Sequence, residues 1–135
     1  MADFDVDTEE LYVFKIDDEY LFSAYFEHED LFDRLSQYYN GDAYRFEVPA
    51  DEYDAVVEAL NEYYYEPIVI EADNRVDFCV VTGKYDEHAE ILKRSVLNWE
   101  RRGRRFFLMR SPLAVDEAIE RGATPLEETD FVLGL

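Results

Sequence analysis

A chain of 135 residues is long enough for one folded domain with its own core, and 48% of its residues are hydrophobic, which excludes a disordered protein. No apolar run approaches the ~20 residues of a membrane-spanning helix, and the acidic first residues lack the basic segment of a signal peptide. The formal net charge is −20 and the single cysteine excludes an internal disulfide, so we expect a cytoplasmic protein without membrane contact.

The first part of the chain is predicted to form a ββαβα unit over residues 11–65, preceded by an acidic lead-in at residues 1–10. Segments rich in β-branched and aromatic residues indicate strands, and an acidic turn joins the first two into a hairpin. Apolar residues at helical spacing indicate helices, and Asn40-Gly41 supplies a left-handed stop for the first of them. The predicted elements are strands at 11–16 and 20–25, a helix at 29–39, a strand at 44–48 and a helix at 51–64.

The second part, over residues 67–122, is predicted to repeat this order. A turn is expected to join its first two strands as a second hairpin, and Gly103 is expected to stop its first helix. Ser111 and Pro112 are typical of a helix start, and Gly122 of a helix end. The predicted elements are strands at 67–71 and 76–82, a helix at 87–101, a strand at 105–110, a helix up to Gly122 and a C-terminal tail at 123–135.

Two stretches that lie 60 residues apart carry matching residue types. Tyr25–Arg34 and Tyr85–Arg94 share tyrosine, glutamate, histidine and arginine at equivalent places, so we interpret them as two copies of one unit within a single domain of residues 1–135. The expected fold class is α+β, a largely antiparallel sheet covered by helices in the order ββαβα-ββαβα. Residues 43–110 also fit the βαββαβ order of a ferredoxin-like fold, but only the duplication explains the matching stretches.

Acidic residues outnumber basic ones by 33 to 13, and lysine is scarce among the bases. This balance resembles the composition of cytosolic proteins from salt-accumulating haloarchaea. In dilute buffer so many like charges oppose a compact state, whereas at ~1 M salt the screening length falls to ~3 Å and the repulsion largely disappears. We therefore expect a halophilic protein.

The only two histidines, His28 and His88, occupy equivalent places in the two matching stretches. Together with the nearby carboxylates of Asp30 and Glu90 they form a candidate metal site, provided that a pseudo-twofold axis brings the stretches together. Their spacing differs from metal motifs such as H-E-x-x-H, and acids in the first turn of a helix also complement the helix dipole. We favour this second explanation and expect no bound cofactor.

A basic segment at residues 84–110 contrasts with the acidic remainder of the chain. Its centre is a candidate site for a phosphate group, a nucleotide or RNA, because a guanidinium group binds phosphate through two parallel hydrogen bonds. High salt weakens such binding and the negative field of the protein repels nucleic acid, so we favour pairing with carboxylates of the same chain or of another subunit. The arginines concerned are Arg101, Arg102, Arg104 and Arg105.

Aromatic residues are abundant, with 11 tyrosines and 10 phenylalanines. Neighbouring tyrosines cannot all face inward from one helix, so some are expected at the surface, either as contact residues or as filler on a lysine-poor surface. The candidate contact residues are Tyr38, Tyr39, Tyr63, Tyr65, Phe131 and Leu133. Phosphate-binding loops, nucleophile motifs and paired cysteines are missing from the sequence. The sequence therefore predicts a small non-catalytic interaction or regulatory module that forms a homodimer or binds a protein partner, with nucleotide or RNA binding and a metal-dependent enzyme as alternatives.

Overall fold

The computed structural model describes residues 8–129 and confirms the α+β class. The strands are β1 (Glu9–Ile16), β2 (Glu19–Phe22), β3 (Tyr39–Asn40), β4 (Arg45–Pro49), β5 (Tyr65–Ile70), β6 (Cys79–Gly83), β7 (Ser95–Arg101), β8 (Arg104–Met109) and β9 (Thr124–Pro125). The α-helices are α1 (Glu29–Leu35), α2 (Tyr53–Glu62), α3 (Ala89–Lys93) and α4 (Pro112–Glu120). Short 3-10 segments lie at Ser36–Tyr38, Ala50–Glu52, Ala72–Phe78 and Leu126–Glu128.

The strands form two sheets in which most hydrogen-bonded neighbours are antiparallel. The first sheet has the order β3-β4-β2-β1-β5, with β5 parallel to β1. The second sheet has the order β7-β8-β6-β9 and is antiparallel throughout.

The two sheets pack face to face, and helices cover the outer face of each. Because side chains alternate along a strand, Leu11 and Val13 of β1 face α1 and α2, while Phe14 faces the second sheet. In β8, Phe106 belongs to this central core, while Phe107 faces α3 and α4. The layers therefore run helices, sheet, sheet, helices, and the two helix layers lie on opposite sides of the molecule.

The two halves of the chain share one element order, strand–helix–hairpin–helix–strand. In the first half this order is β2-α1-β3-β4-α2-β5, and in the second half it is β6-α3-β7-β8-α4-β9. In each sheet the hairpin lies on the same side of the first strand, with β4 beside β2 and β8 beside β6. The sheets differ at β1, which lies between β2 and β5, whereas β9 pairs directly with β6.

The helix predicted over residues 87–101 is wrong for most of its length. Helix α3 covers five residues, and the chain then enters β7, which pairs with β8 through a two-residue turn. The turn residues Arg102 and Gly103 have φ angles of 53° and 75°, and positive φ at both central residues is typical of a tight hairpin turn. An irregularity near the start of β7 shifts the register, so that Val96 and Trp99 both face the central core despite their helix-like spacing.

The helix predicted over residues 29–39 is also shorter than expected. Helix α1 ends at Leu35, and the chain continues through a 3-10 turn into β3. Gly41 therefore lies in the β3–β4 turn, where the Asn40 side chain accepts hydrogen bonds from the backbone N–H groups of Asp42 (3.1 Å) and Ala43 (3.2 Å). This residue pair stops a strand where the sequence predicts a helix end.

The start and end of the last helix agree with the prediction. The Ser111 hydroxyl accepts a hydrogen bond from the backbone N–H of Ala114 at 3.1 Å, and Pro112 is the first helical residue. Gly122 adopts a φ of +104° just past the helix, a conformation that favours glycine.

The hairpin predicted over residues 67–82 and the ferredoxin-like alternative for residues 43–110 are not formed. Both require β5 and β6 in one sheet, whereas β5 lies in the first sheet and β6 in the second. The 3-10 segment between them carries the chain across, and its buried Arg75 donates a hydrogen bond to the backbone carbonyl of Lys15 in β1. Two packed sheets therefore replace the single sheet expected from the sequence.

Candidate interaction site

The two histidines precede helices that lie on opposite outer layers. His28 comes directly before α1, and His88 comes directly before α3, where its Nδ1 lies 2.9 Å from the carbonyl oxygen of Asp86. Both sheets separate the two positions, so the structure does not bring His28, His88, Asp30 and Glu90 together. Within the described part of the chain, no group of three or more histidine, cysteine, aspartate or glutamate residues could hold a metal ion.

Two of the four arginines selected from the sequence interact with neighbouring side chains. The guanidinium group of Arg105 lies 3.8 Å from the carboxylate of Glu100, its cross-strand neighbour. The guanidinium group of Arg101 lies 5.9 Å from the centre of the Phe106 ring, within the range of a cation–π contact. These contacts hold both side chains against the second sheet.

Arg102 and Arg104 are exposed at the turn of the β7–β8 hairpin. Neither forms an ion pair with another side chain among residues 8–129. Arg104 lies directly across the hairpin from Arg101, and like charges in this register are destabilising. The backbone N–H of Lys84 donates a hydrogen bond to the carbonyl of Gly103 at 3.1 Å, which places a third exposed cation beside the turn. We call Lys84, Arg102 and Arg104 the basic hairpin tip.

Three of the predicted contact tyrosines face inward or are partly covered. Tyr65 is buried in the core beneath α1 and α2, and burial raises its pKa, so it cannot belong to a contact surface. Tyr63 is half-buried, with its ring centre 5.2 Å from that of His28. Tyr38 is half-buried as well, and its hydroxyl donates a hydrogen bond to Glu52 at 2.8 Å. The remaining predicted contact residues are Tyr39, which is exposed, and Phe131 and Leu133, which lie outside the described residues.

Tyr39 lines an open cavity of about 320 Å³ beside α1, on the outer face of the first sheet. Tyr25 at its rim is 84% exposed, and the exposed rings of Phe32 and Tyr39 lie 5.9 Å apart. Exposed aromatic side chains around an apolar concave surface are typical of protein contact sites. We call the residues that line this site the aromatic cavity: Ala24, Tyr25, Phe26, Glu29, Phe32, Asp33 and Tyr39.

The buried ring of Phe46 in β4 supports the aromatic cavity from below. It stacks on Phe22 at a centroid distance of 5.0 Å and contacts Tyr39 at 4.9 Å. It also lies 5.5 Å from Phe26 and 6.2 Å from Phe32. Aromatic pairs of this kind contribute about 0.5–1.5 kcal/mol beyond the burial of their area, so Phe46 holds the cavity walls in place.

Two carboxylates of α1, Glu29 and Asp33, line the aromatic cavity. They lie four residues apart on one helix face, where like charges repel each other. Neither carboxylate forms an ion pair with another side chain of residues 8–129. The cavity therefore combines apolar walls with unbalanced negative charge, and it fits a positively charged group.

A second cavity of about 480 Å³ adjoins the first at Tyr25. It lies between the start of β1 and the start of α4, and its lining includes Arg110 and the exposed side chain of Leu113. Burial lowers the pKa of Arg110, and the nearby Arg94 lowers it further. Because acids of β1 and this arginine share the cavity, it has no single charge character, but it extends the apolar surface from Tyr25 to Leu113.

Cys79 is buried in the central core, as the sequence predicts. Burial raises the pKa of its thiol to about 12, so the thiol stays protonated at neutral pH. Its Sγ donates to the carbonyl of Arg75 at 3.3 Å, which is a structural contact.

The fold and the site together define an α+β protein of two packed sheets with an aromatic, acidic surface cavity. No protein family, curated protein or solved structure matches this chain. Of the helices within residues 8–129, none is long and apolar enough to cross a membrane.

Sequence reasoning misses Tyr25, Phe32, Glu29 and Asp33 as parts of one site. Three of them lie on α1, but the site also needs Tyr39, which reaches it through the pairing of β3 with β4, and the sequence prediction includes no β3. One signal was available, because the two matching stretches begin with Tyr25 and Tyr85. These are the most exposed of the large hydrophobic side chains in the described chain, at 84% and 91%.

Proposed function

We propose that this chain is a non-catalytic interaction module that binds another protein surface through the aromatic cavity. The exposure of Tyr25 carries the proposal, because this ring and those of Phe32 and Tyr39 surround an apolar concave surface. Covering such a surface is favourable by ~25 cal/mol for each Å² of apolar area removed from water. Tyrosines also serve often as the energetic centres of protein interfaces.

The extent of the surface supports a protein partner over a small molecule. Stable protein interfaces bury about 1,200–2,000 Å² in total, which is more than one small cavity supplies. The aromatic cavity continues past Tyr25 into the second cavity and reaches the exposed Leu113. A partner that spans both cavities would therefore be larger than a ligand that fills either cavity alone.

The surrounding charge fits a halophilic cytoplasm. A net charge of −20 on 135 residues opposes a compact state unless salt screens the repulsion between the like charges. Melting temperature measured against KCl concentration tests this part of the proposal. We expect a rise of ~10 °C or more between 0.1 M and 2 M KCl, which corresponds to a few kcal/mol for a domain of this size. A melting temperature that is constant or falls with salt would remove the halophilic assignment.

The exposed Arg102 and Arg104 favour a second candidate function, the binding of RNA or a nucleotide by the basic hairpin tip. This candidate predicts binding of a labelled RNA in molar KCl that is lost when both arginines become glutamate. Absence of binding at any salt concentration would exclude it. We rank it second because contacts to phosphate weaken steeply with salt.

Photo-crosslinking tests the interaction surface directly. A benzophenone side chain replaces Tyr25 in one variant and Tyr64 in a matched control, since Tyr64 is 54% exposed and lines neither cavity. We expect discrete crosslinked protein species from position 25, in the producing cells or with purified protein, and few from position 64. Equal crosslinking at both positions, or none at position 25, would contradict the proposal.

A further inference from the structure

We infer that the partner of the aromatic cavity is a second copy of this chain, whose basic hairpin tip enters the cavity. The inference rests on the proposed function, because it names the partner of the same surface. It follows from two surfaces that carry opposite, unbalanced charge on one molecule.

The cavity side lacks cations. Glu29 and Asp33 repel each other across one turn of α1, and no described side chain compensates either of them by an ion pair. The aromatic rings beside them present π faces, which attract a guanidinium group more strongly when water is excluded. A cation placed in the cavity would therefore interact with both carboxylates and with the rings.

The hairpin side carries cations that no described carboxylate pairs with, because the nearby Asp86 carboxylate accepts a hydrogen bond from the backbone N–H of Gly83 and Glu100 pairs with Arg105. Arg102 and Arg104 are exposed without an ion pair in residues 8–129, and Lys84 lies next to them. The tight turn at Gly103 makes the tip narrow, because two residues reverse the chain. Arginine suits the contact, since its planar group stacks on aromatic rings while it binds carboxylates.

The two surfaces occupy related places in the two halves. Tyr25 of the first matching stretch lines the aromatic cavity, and Tyr85 of the second stretch follows Lys84 at the hairpin tip, with the Lys84 Nζ 5.6 Å from the Tyr85 ring centre. The contact therefore joins the first half of one copy to the second half of another. Two copies form a closed dimer if each inserts its hairpin tip into the cavity of the other. If each pair forms only one of these contacts, further copies can add and the assembly extends into a chain.

Added salt is expected to strengthen this association. At low salt, two copies with a net charge of −20 each repel one another over long distances. At ~1 M salt only charges within ~3 Å interact strongly, so the long-range repulsion is lost while the contact between tip and cavity is retained. We therefore expect self-association to increase with KCl, whereas a simple dimer held by exposed ion pairs would weaken.

Exchange of the charges tests the inference, read by light scattering and sedimentation in 0.5–3 M KCl. The cavity variant carries Glu29→Lys and Asp33→Lys, and the tip variant carries Arg102→Glu and Arg104→Glu. We expect each variant alone to self-associate at least tenfold more weakly than the wild type, and an equimolar mixture of the two to regain association. A control variant with Asp54→Lys and Glu58→Lys has the same net charge as the cavity variant, the same spacing on α2 and exposed positions, and it should associate like the wild type.

Three results would overturn the inference: a monomeric wild type, unchanged association of either variant, or a mixture that fails to associate while both variants are folded by circular dichroism. Should charge reversal unfold a variant, Arg102→Ala with Arg104→Ala supplies the same comparison and must lose association at least threefold. Crosslinks from position 25 to a different protein, with no self-association, would overturn this inference and leave the proposed function intact. Absence of any crosslink from position 25 would remove both.

Discussion

The outer rows of the two sheets occupy equivalent places and have opposite chemistry. In the first sheet the row is Phe22, Phe46 and Tyr39, with Phe46 as the register partner of both others. In the second sheet the corresponding row is Thr82, Arg105 and Glu100, with Arg105 as the register partner of both others. One topology therefore carries an aromatic row in one half and a polar row in the other.

The difference between the rows determines which half offers a cavity. The aromatic row is held by ring contacts of 5.0 and 4.9 Å, and its buried ring Phe46 packs against Phe26, Phe32 and Tyr39, which line the aromatic cavity. The polar row is held by the ion pair between Arg105 and Glu100, and it leaves the hydroxyl of Thr82 and the Nε of Arg105 buried without a hydrogen-bond partner in residues 8–129. Shared topology thus does not imply a shared site.

The first helices of the two outer layers, α1 and α3, also differ in their charged residues. Glu29 and Asp33 of α1 have Ala89 and Lys93 at the corresponding positions of the second matching stretch. In α3 the acidic residue is Glu90, and hydrogen bonding by Arg94, with help from Lys93, lowers the pKa of its carboxyl group. Helix α3 therefore pairs its acid with neighbouring cations, whereas α1 leaves Glu29 and Asp33 without an ion pair beside the aromatic cavity.

The largest expected effect comes from removing the centre of the aromatic row. Phe46→Ala should destabilise the protein by about 3–5 kcal/mol, because a buried ring is lost and a cavity remains. Arg105→Ala at the equivalent place should cost less than about 1.5 kcal/mol, since its ion pair is partly exposed and one of its donors lacks a partner. Urea unfolding in 2 M KCl measures both. Equal costs would show that the two rows are energetically alike.

The second largest effect is expected at alkaline pH, which should lower the stability of the folded protein because burial keeps some of its groups protonated. Burial raises the pKa of Cys79 from 9.0 to about 12 and that of Tyr53 from 10.0 to about 12. The unfolded chain then loses these protons at lower pH than the folded chain, so the stability they contribute is complete below pH ~9 and is lost as the pH rises towards 12. Each such group costs at most about 1.4 kcal/mol per pH unit in this window.

Unfolding free energies at pH 8, 9, 10 and 11 check this slope, and Cys79→Ala supplies the control. The variant is expected to be less stable at pH 8, because of the cavity it creates, but to lose less stability between pH 9 and 11. The two groups lie in different layers, because Cys79 belongs to the central core and Tyr53 packs against the outer core of the first sheet. A slope that the variant leaves unchanged would exclude Cys79 as a contributor.

A smaller effect is expected from making the second row more apolar. Thr82→Val removes a buried hydroxyl without a described partner and keeps the shape of the side chain, so it should stabilise the protein by about 0.5–1 kcal/mol. Ser95→Ala is the matched opposite case, because the Ser95 hydroxyl donates a hydrogen bond to the Leu92 carbonyl at 2.8 Å. That variant should lose about 1 kcal/mol. Thermal melting in 2 M KCl distinguishes the two, and a loss of stability in Thr82→Val would mean that its hydroxyl has a partner.

The smallest expected effect concerns the unpaired acids of α1. Asp33→Asn should stabilise the protein by about 0.2–0.5 kcal/mol at low KCl, because it removes the repulsion from Glu29 four residues earlier and leaves Glu29 in the first turn, where it complements the helix dipole. Glu90→Gln should have the opposite sign, since Glu90 pairs with Arg94 and Lys93. Both effects should shrink in 2 M KCl. The same sign for both variants would erase the difference between the two helices.

The sequence predicts the capped helix α4 well, and it predicts the lengths of α1 and α3 and the sheet arrangement poorly. The start of α4 at Ser111 and Pro112 follows from local capping chemistry, and Cys79 follows from its apolar neighbours. Strand β7 is predicted as part of a helix because its irregular register gives Val96 and Trp99 a helical spacing. The division into two sheets depends on the 3-10 segment around Arg75, whose long-range hydrogen bond to β1 leaves no local pattern.

The site is harder to predict than the fold, because its residues come together only through the sheet. Glu29 and Phe32 share a helix, but Tyr39 reaches the cavity through the pairing of β3 with β4. The arginine cluster seen in the sequence divides in the structure, since Arg105 has an ion pair and Arg102 does not. The composition predicts that a contact surface exists, and the register of the paired strands determines which residues form it.

Hydroxyl-radical footprinting at increasing protein concentration in 2 M KCl tests most directly whether the first half of one copy contacts the second half of another. Tyr25 reports on the aromatic cavity, Tyr85 reports on the basic hairpin tip, and the exposed Tyr64 belongs to neither. We expect oxidation of Tyr25 and Tyr85 to fall together as the concentration rises, while oxidation of Tyr64 stays constant. Oxidation of Tyr25 that does not change with concentration, or that changes without Tyr85, would contradict the account.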